Sequence, residues 1–180
     1  MPDRRVGIAT VERLAPRGMV AVRADLSDGA LRRAVADAAG AEVPEPLRWT
    51  GGKDAALAWM SPDELLLLVP EDRAAAAADR LRGALEGAHA LVADVSAMRA
   101  AFRVSGAAAR ATLAKLAPAD LSPRAFGPDA FRRTRLAQAP AALRMTEAGI
   151  EAYGFRSHAA YLAGILENAA ARGPVEPAIP

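Results

Sequence analysis

Residues 94–116 read DVSAMRAAFRVSGAAARATLAKL, and this run decides the fold. From Met98 onward the side chains alternate: Met98, Ala100, Phe102 and Val104 fall on one side, and Arg99, Ala101, Arg103 and Ser105 on the other. A period of two is that of a strand with one face on a core. Ser105-Gly106 stops the alternation, and alanine-rich sequence with Leu113 and Leu116 continues at helical spacing. Ser105 is expected to be the helix N-cap, because its hydroxyl can accept a hydrogen bond from an unpaired amide of the first turn. A strand, a serine-glycine turn and a helix within so short a run are the mark of an α+β architecture.

Working outward toward the N-terminus, residues 1–18 read as an irregular lead-in punctuated by Pro16 and Gly18. A strand is predicted over 19–24, followed by a helix with N-cap candidates Ser27 and Asp28, an apolar face of Leu31 and Val35, and an end at Gly40. After the link Val43-Pro44-Glu45-Pro46, strands over 47–50 and 55–60 form a hairpin around Gly51-Gly52-Lys53-Asp54. Pro62 sits at the second position of the next turn. The continuous apolar run 65–69 predicts a strand covered on both faces. Glu71 and Asp72 then open a helix whose positive end they complement. Its apolar face is Ala74, Ala77, Ala78, Leu81 and Leu85, and Gly87 ends it.

A further strand over 91–95 leads into the opening run. Beyond it, the prolines of 117–128 bar regular structure. Strands are predicted over 130–137, 141–146 and 150–155, the last two joined by Glu147-Ala148-Gly149. Ser157 is the expected cap of a final helix bearing Tyr161, Leu162, Ile165 and Leu166. The tail 172–180, with three prolines and no periodicity, is expected to be mobile. The sum is one two-lobed α+β domain over 19–171, made of antiparallel sheets with packed helices.

Composition excludes several kinds of chemistry. The chain has 180 residues, 52% apolar and 24% charged, enough to bury a core. It contains no cysteine, which excludes disulfides, thiol nucleophiles, iron–sulfur clusters and thiolate zinc sites. The net charge of +2 comes from arginines dispersed among acids. The densest basic stretch, Arg132-Arg133-Thr134-Arg135, lacks stacking aromatics, so no nucleic-acid partner is expected. The N-terminus MPDRRVGIATVERL has no continuous apolar segment, and no apolar run approaches membrane-spanning length. A cytoplasmic protein without a membrane partner is expected.

No catalytic set emerges from the polar residues. His89 and His158 read as surface histidines, and Ser96, Ser105 and Ser157 as turn and cap residues. Gly51-Gly52 reads as a hairpin turn rather than a ligand cradle. Asp63-Glu64 are adjacent, so on a strand they would point to opposite faces and could not converge on one substrate atom. Asp94 reads as a turn former bonding amides near Ser96. Arg124-Ala125-Phe126 is either a rigid connector or an exposed protein contact. No HExxH, EF-hand, GxGxxG or P-loop pattern occurs. Catalytic, cofactor-binding and metal-binding residues are therefore all expected to be none.

The ordered set Asp94-x-Ser96, the strand to Val104, Ser105-Gly106 and the alanine/leucine helix resembles the core motif of the folate-binding aminomethyltransferase superfamily, which includes the glycine-cleavage T-protein. Four further motifs narrow the likeness: Trp59-Met60-Ser61-Pro62-Asp63-Glu64-Leu65-Leu66-Leu67-Leu68, Asp120-Leu121-Ser122-Pro123-Arg124-Ala125-Phe126, Ala137-Gln138-Ala139-Pro140, and Phe155-Arg156-Ser157-His158-Ala159-Ala160-Tyr161-Leu162. Together, over roughly residues 45–170, they resemble the gamma subunits of heterotetrameric sarcosine oxidases. The resemblance implies an aminomethyltransferase-like fold, with a ferredoxin-like subdomain compatible with it. It also implies an accessory role beside alpha, beta and delta subunits. FAD, FMN, NAD and tetrahydrofolate would lie in those other subunits and none in this chain. The isolated chain is expected to be able to self-associate. The alternative is a free-standing folate-binding or folate-dependent one-carbon transfer protein.

Overall fold

The computed structural model describes residues 4–171. In chain order the elements are strands β1 (Arg4–Val6), β2 (Thr10–Arg13) and β3 (Gly18–Arg23), helix α1 (Gly29–Ala39), and strands β4 (Trp49–Gly51), β5 (Ala56–Ser61) and β6 (Glu64–Val69). Helix α2 (Ala74–Ala84), strands β7 (Leu91–Asp94) and β8 (Arg99–Ser105), and helix α3 (Ala109–Ala114) follow. The chain continues with strands β9 (Phe131–Leu136), β10 (Ala139–Thr146) and β11 (Gly149–Phe155), then helix α4 (Ala159–Ala171). Two compact units divide these elements. One holds Pro16–Arg99 with Asp129–Arg132, and the other gathers 4–15, Ala100–Pro128 and 133–171.

In the first unit a five-stranded sheet runs in the order β4-β5-β6-β3-β7, with its neighbours antiparallel. Strand β6 is central, and its residues 65–69 are all within 3% of full burial, so both faces are covered as its unbroken apolar run requires. Helices α1 and α2 close one face, packing Val35, Ala39, Ala77 and Leu81 against Val20, Val22, Leu57, Leu65 and Leu67. Each fully buried leucine or valine there is worth about 1.5–3 kcal/mol. Helix α1 has the caps its sequence announces. The Asp28 carboxylate accepts from the amides of Ala30 at 2.7 Å and Leu31 at 3.3 Å, while Gly40 closes the helix at φ 71°.

In the second unit a six-stranded sheet runs β1-β2-β8-β11-β10-β9. Helix α4 lies over it, with Leu162 and Leu166 buried. It packs so closely that a Cβ at Gly154 would come within 2.3 Å of Leu162 Cδ1. The Lys115 ammonium just after α3 donates to the carbonyl of Ala169 in α4 at 2.9 Å. Edge strand β9 carries Arg133 and Arg135 exposed, a charge pattern that discourages edge-to-edge pairing. The α+β class with antiparallel sheets and packed helices is thus as the sequence predicts.

Four local expectations are corrected. The expected irregular lead-in 1–18 holds strands β1 and β2 among its described residues: Thr10 and Val11 of β2 pair with Ser105 and Val104 of β8, a partner some ninety positions away that short-range patterning cannot reveal. Ser105 does not cap a helix. It ends β8, Gly106 turns the chain at φ 97°, and α3 starts three residues later behind Ala108, which makes no side-chain cap bond. Met98 is not on the buried face of the strand but 54% exposed, because Ser96–Met98 forms a 3-10 turn and β8 begins at Arg99. Ser157 lies inside the 3-10 turn Arg156–His158 rather than at a cap. The tail 172–180 lies outside the described residues.

Candidate functional site

The second unit contains a row of charges that no single motif predicts. In the β10–β11 hairpin Arg144 stands opposite Glu151, and in the β2–β8 pair Glu12 stands opposite Arg103. Since β2, β8, β11 and β10 are successive neighbours in the sheet, these pairs form one line across it. Glu12 Oε2 lies 3.4 Å from Arg103 Nη1, Arg103 Nη2 lies 3.1 Å from Glu151 Oε1, and Glu151 Oε2 lies 3.7 Å from Arg144 Nη1. The Tyr153 hydroxyl donates to Glu151 Oε2. Strand alternation puts Glu151 and Tyr153 on the face of β11 opposite Gly154, so the row faces away from α4.

The inner half of this row is buried: the Glu151 and Arg144 side chains are each 5% exposed. Two acids and two guanidiniums in alternation sum to zero charge, which is what lets ionised groups persist out of water. Burial, reinforced by the Glu151 charge, pushes the Tyr153 phenol well above its usual range, so the hydroxyl keeps its proton and its hydrogen bond. Glu151 is held by Arg103, Arg144 and Tyr153 together. A general acid or base must instead reach a substrate atom. The row is built to fix strands, and it uses its own charges to do so.

The residues weighed from the sequence occupy structural positions. Asp94 Oδ1 accepts from the Ser96 amide at 2.9 Å and from the Ser96 hydroxyl at 2.5 Å, while Ser96 Oγ accepts from the Met19 amide at 2.9 Å. This is the predicted turn, and it ties the end of β7 to β3. Asp63 accepts from the Ser61 hydroxyl at 2.6 Å and pairs with Arg23 at 3.1 Å. The Ser61 bond, with the Arg23 charge, holds its carboxyl below the usual carboxylate range. Gly51, at φ 94°, turns the β4–β5 hairpin, where a Cβ would meet the Ala55 carbonyl at 2.3 Å. His89 and His158 are exposed, the latter edge-on to Phe155 at 6.4 Å.

The proline-rich connector is packed as its rigid reading expects. Phe126 is fully buried and Leu121 nearly so, and Arg110 Nη1 donates to both their carbonyls, at 3.0 and 2.5 Å. Arg110 also borders an open cleft of about 290 Å³, shared with Gly106, Thr146, Glu147 and Gly149. Among the described residues no three acidic or histidine side chains gather as a metal site, and no helix is long and apolar enough to cross a membrane.

Comparison with known proteins supplies the context. Residues 23–172 match the family model described as sarcosine oxidase, gamma subunit family. Sarcosine oxidase subunit gamma of Corynebacterium sp. (strain P-1) is 37% identical over 142 residues, covering 78% of this chain and 68% of that one. Among solved structures, a chain of heterotetrameric sarcosine oxidase from Corynebacterium sp. U-96, in complex with pyrrole 2-carboxylate, superposes with a TM-score of 0.84. It is 31% identical, with 93% of this chain and 87% of that chain covered. Glycine cleavage system aminomethyltransferase T from Bartonella henselae shares the fold at a TM-score of 0.64 and 18% identity, covering 89% of this chain but 46% of its own. The expected aminomethyltransferase-like fold is therefore present, and the chain belongs to the sarcosine oxidase gamma subunit family.

Proposed function

We propose that this protein is a non-catalytic accessory subunit of a heterotetrameric sarcosine oxidase, held in the complex by the alpha, beta and delta subunits. The carrying observation is the likeness, along nearly its whole length, to a chain of such an assembly. The complex would demethylate sarcosine, passing electrons through flavin to oxygen and the one-carbon unit to tetrahydrofolate. FAD, FMN, NAD and tetrahydrofolate would be bound by the other subunits.

The fold raises the question of whether folate could sit on this chain, and the buried polar groups speak against the charged row as its seat. Glu12, Arg103, Glu151 and Arg144 neutralise one another, and Tyr153 is already bonded to Glu151. A ligand there would have to break pairs buried in the sheet. No chemical step is therefore assigned to these residues, and their contribution is a rigid, correctly paired sheet. Titrating the isolated chain with tetrahydrofolate, followed by calorimetry, tests the reading: no binding at micromolar concentrations is expected. Saturable micromolar binding would favour the folate-binding alternative.

A further inference from the structure

The two edges of the five-stranded sheet are treated differently. At one edge β4 is closed by an antiparallel bridge between Arg48 and Ala130, where the Trp49 amide donates to the Asp129 carbonyl at 2.9 Å. At the other, β7 pairs only with β3 among the described residues. Its register sets Val92 opposite Val22 and Ala93 opposite Ala21, and the Val95 amide donates to the Met19 carbonyl at 2.8 Å. The alternation of antiparallel pairing then turns the amides and carbonyls of Leu91 and Ala93 toward β3, and those of Val92 and Asp94 outward. Outward backbone groups on an extended edge are a template for another strand.

This edge lacks the guard that β9 has in its exposed arginines. It offers Leu91, which is 55% exposed, then Val92 and Ala93, and its one charge, Asp94, is engaged with the Ser96 amide and hydroxyl. A second copy fits it about a two-fold axis through Val92. Val92 then exchanges backbone hydrogen bonds with its twin, and Leu91 of each copy lies against Ala93 of the other. Val92 packs into the core beneath α1 and α2, so strand alternation puts these leucines and alanines on the opposite face. Asp94 falls beside Ala90 of the second copy, and the two carboxylates stand four residues apart along the pair, about 14 Å. An axis through Ala93 would roughly halve that separation, so charge selects Val92 as the centre.

We infer that the free chain forms a symmetric dimer by antiparallel pairing of β7 with β7 of a second copy, an inference that stands whether or not the accessory-subunit reading holds. The test expresses the full-length chain alone and follows its mass by sedimentation equilibrium over about 1–200 µM, the range of a small polar-edged interface. The mass is expected to rise from one chain toward two. Leu91→Lys brings two ammonium groups together diagonally across the pair and should raise the dissociation constant at least about tenfold. The chain has no cysteine, so Val92→Cys introduces a single thiol. Its Cα would lie about 5.5 Å from its twin, within disulfide reach, and mild oxidation should give a covalent dimer. That cross-link decides the matter even if Leu91→Lys fails to fold. A chain that stays monomeric over the whole range overturns the pairing; if Leu91→Lys then blocks joining to the alpha, beta and delta subunits, the edge belongs to one of them instead. A dimer in which Val92→Cys does not cross-link also overturns it, because the contact then lies on another surface.

Discussion

Replacing Glu151 with glutamine should destabilise the protein far more than a surface mutation would. Glu151 is 5% exposed and lies between Arg103 at 3.1 Å and Arg144 at 3.7 Å. At an effective dielectric near 20, each such contact is worth about 4–5 kcal/mol of gross Coulomb energy, partly cancelled by desolvation. Removing the acid leaves two guanidiniums facing a neutral amide in the sheet, and breaking a buried pair typically costs about 3–5 kcal/mol. Arg103 is 27% exposed and also pairs with Glu12, so the lower end, about 3 kcal/mol, is expected. That is a large share of a typical stability of about 5–15 kcal/mol. It should lower the thermal midpoint by about 6–12 °C for a chain of this size. Urea denaturation followed by far-UV circular dichroism reads the effect, with Arg144→Met, Glu151→Leu and their double variant completing a cycle. The double variant should cost less than the two singles combined, since an apolar pair can replace an ion pair in the same volume, although Tyr153 and Arg103 still lose Glu151. A cost below about 1 kcal/mol for Glu151→Gln, or a double variant as damaged as the two singles combined, would show that Glu151 and Arg144 are not a coupled buried pair.

Two further outcomes follow from the same structure. With its folded-state pKa raised above the ordinary 10, the Tyr153 phenol contributes stability that is complete below about pH 10 and is lost as pH climbs beyond it. In a Tyr161→Phe background, tyrosinate absorbance should therefore appear only together with unfolding, whereas ionisation of the still-folded protein near pH 10 would contradict it. Phe126→Ala, though placed in a loop between prolines, should cost about 3–5 kcal/mol because the ring is fully buried. A loss under about 1 kcal/mol in chemical denaturation would show that the connector is not packed as described.

Much of the fold was legible because short-range rules settle it. Asp28 and Gly40 fix the ends of α1, Gly51 fixes a hairpin, and five apolar residues in a row fix β6 as a strand covered on both faces. The failures at the N-terminal strands and Ser105 come from dependence on distant partners, while those at Met98 and Ser157 come from short 3-10 turns next to the predicted elements. The strands β1 and β2 exist because β8 offers Thr10 a neighbour at Ser105. Ser105 looks like a cap until that pairing retains it in the sheet. Half of the charged row was within reach of the sequence. Once Glu147-Ala148-Gly149 is taken as the hairpin turn, counting back from the pair Thr146 and Gly149 sets Arg144 opposite Glu151. The other half needed the strand order, because nothing local brings Glu12 or Arg103 to that pair.

As an accessory subunit, this chain is expected to work only as part of a larger assembly. The most direct measurement is co-purification: tagged full-length chain, expressed with the alpha, beta and delta subunits of its own source, followed by size exclusion with protein and flavin absorbance read together. One stoichiometric peak is expected, in which this chain co-elutes with flavin. A chain that elutes by itself, while the other subunits form an active oxidase without it, would show that it is not a working part of the assembly.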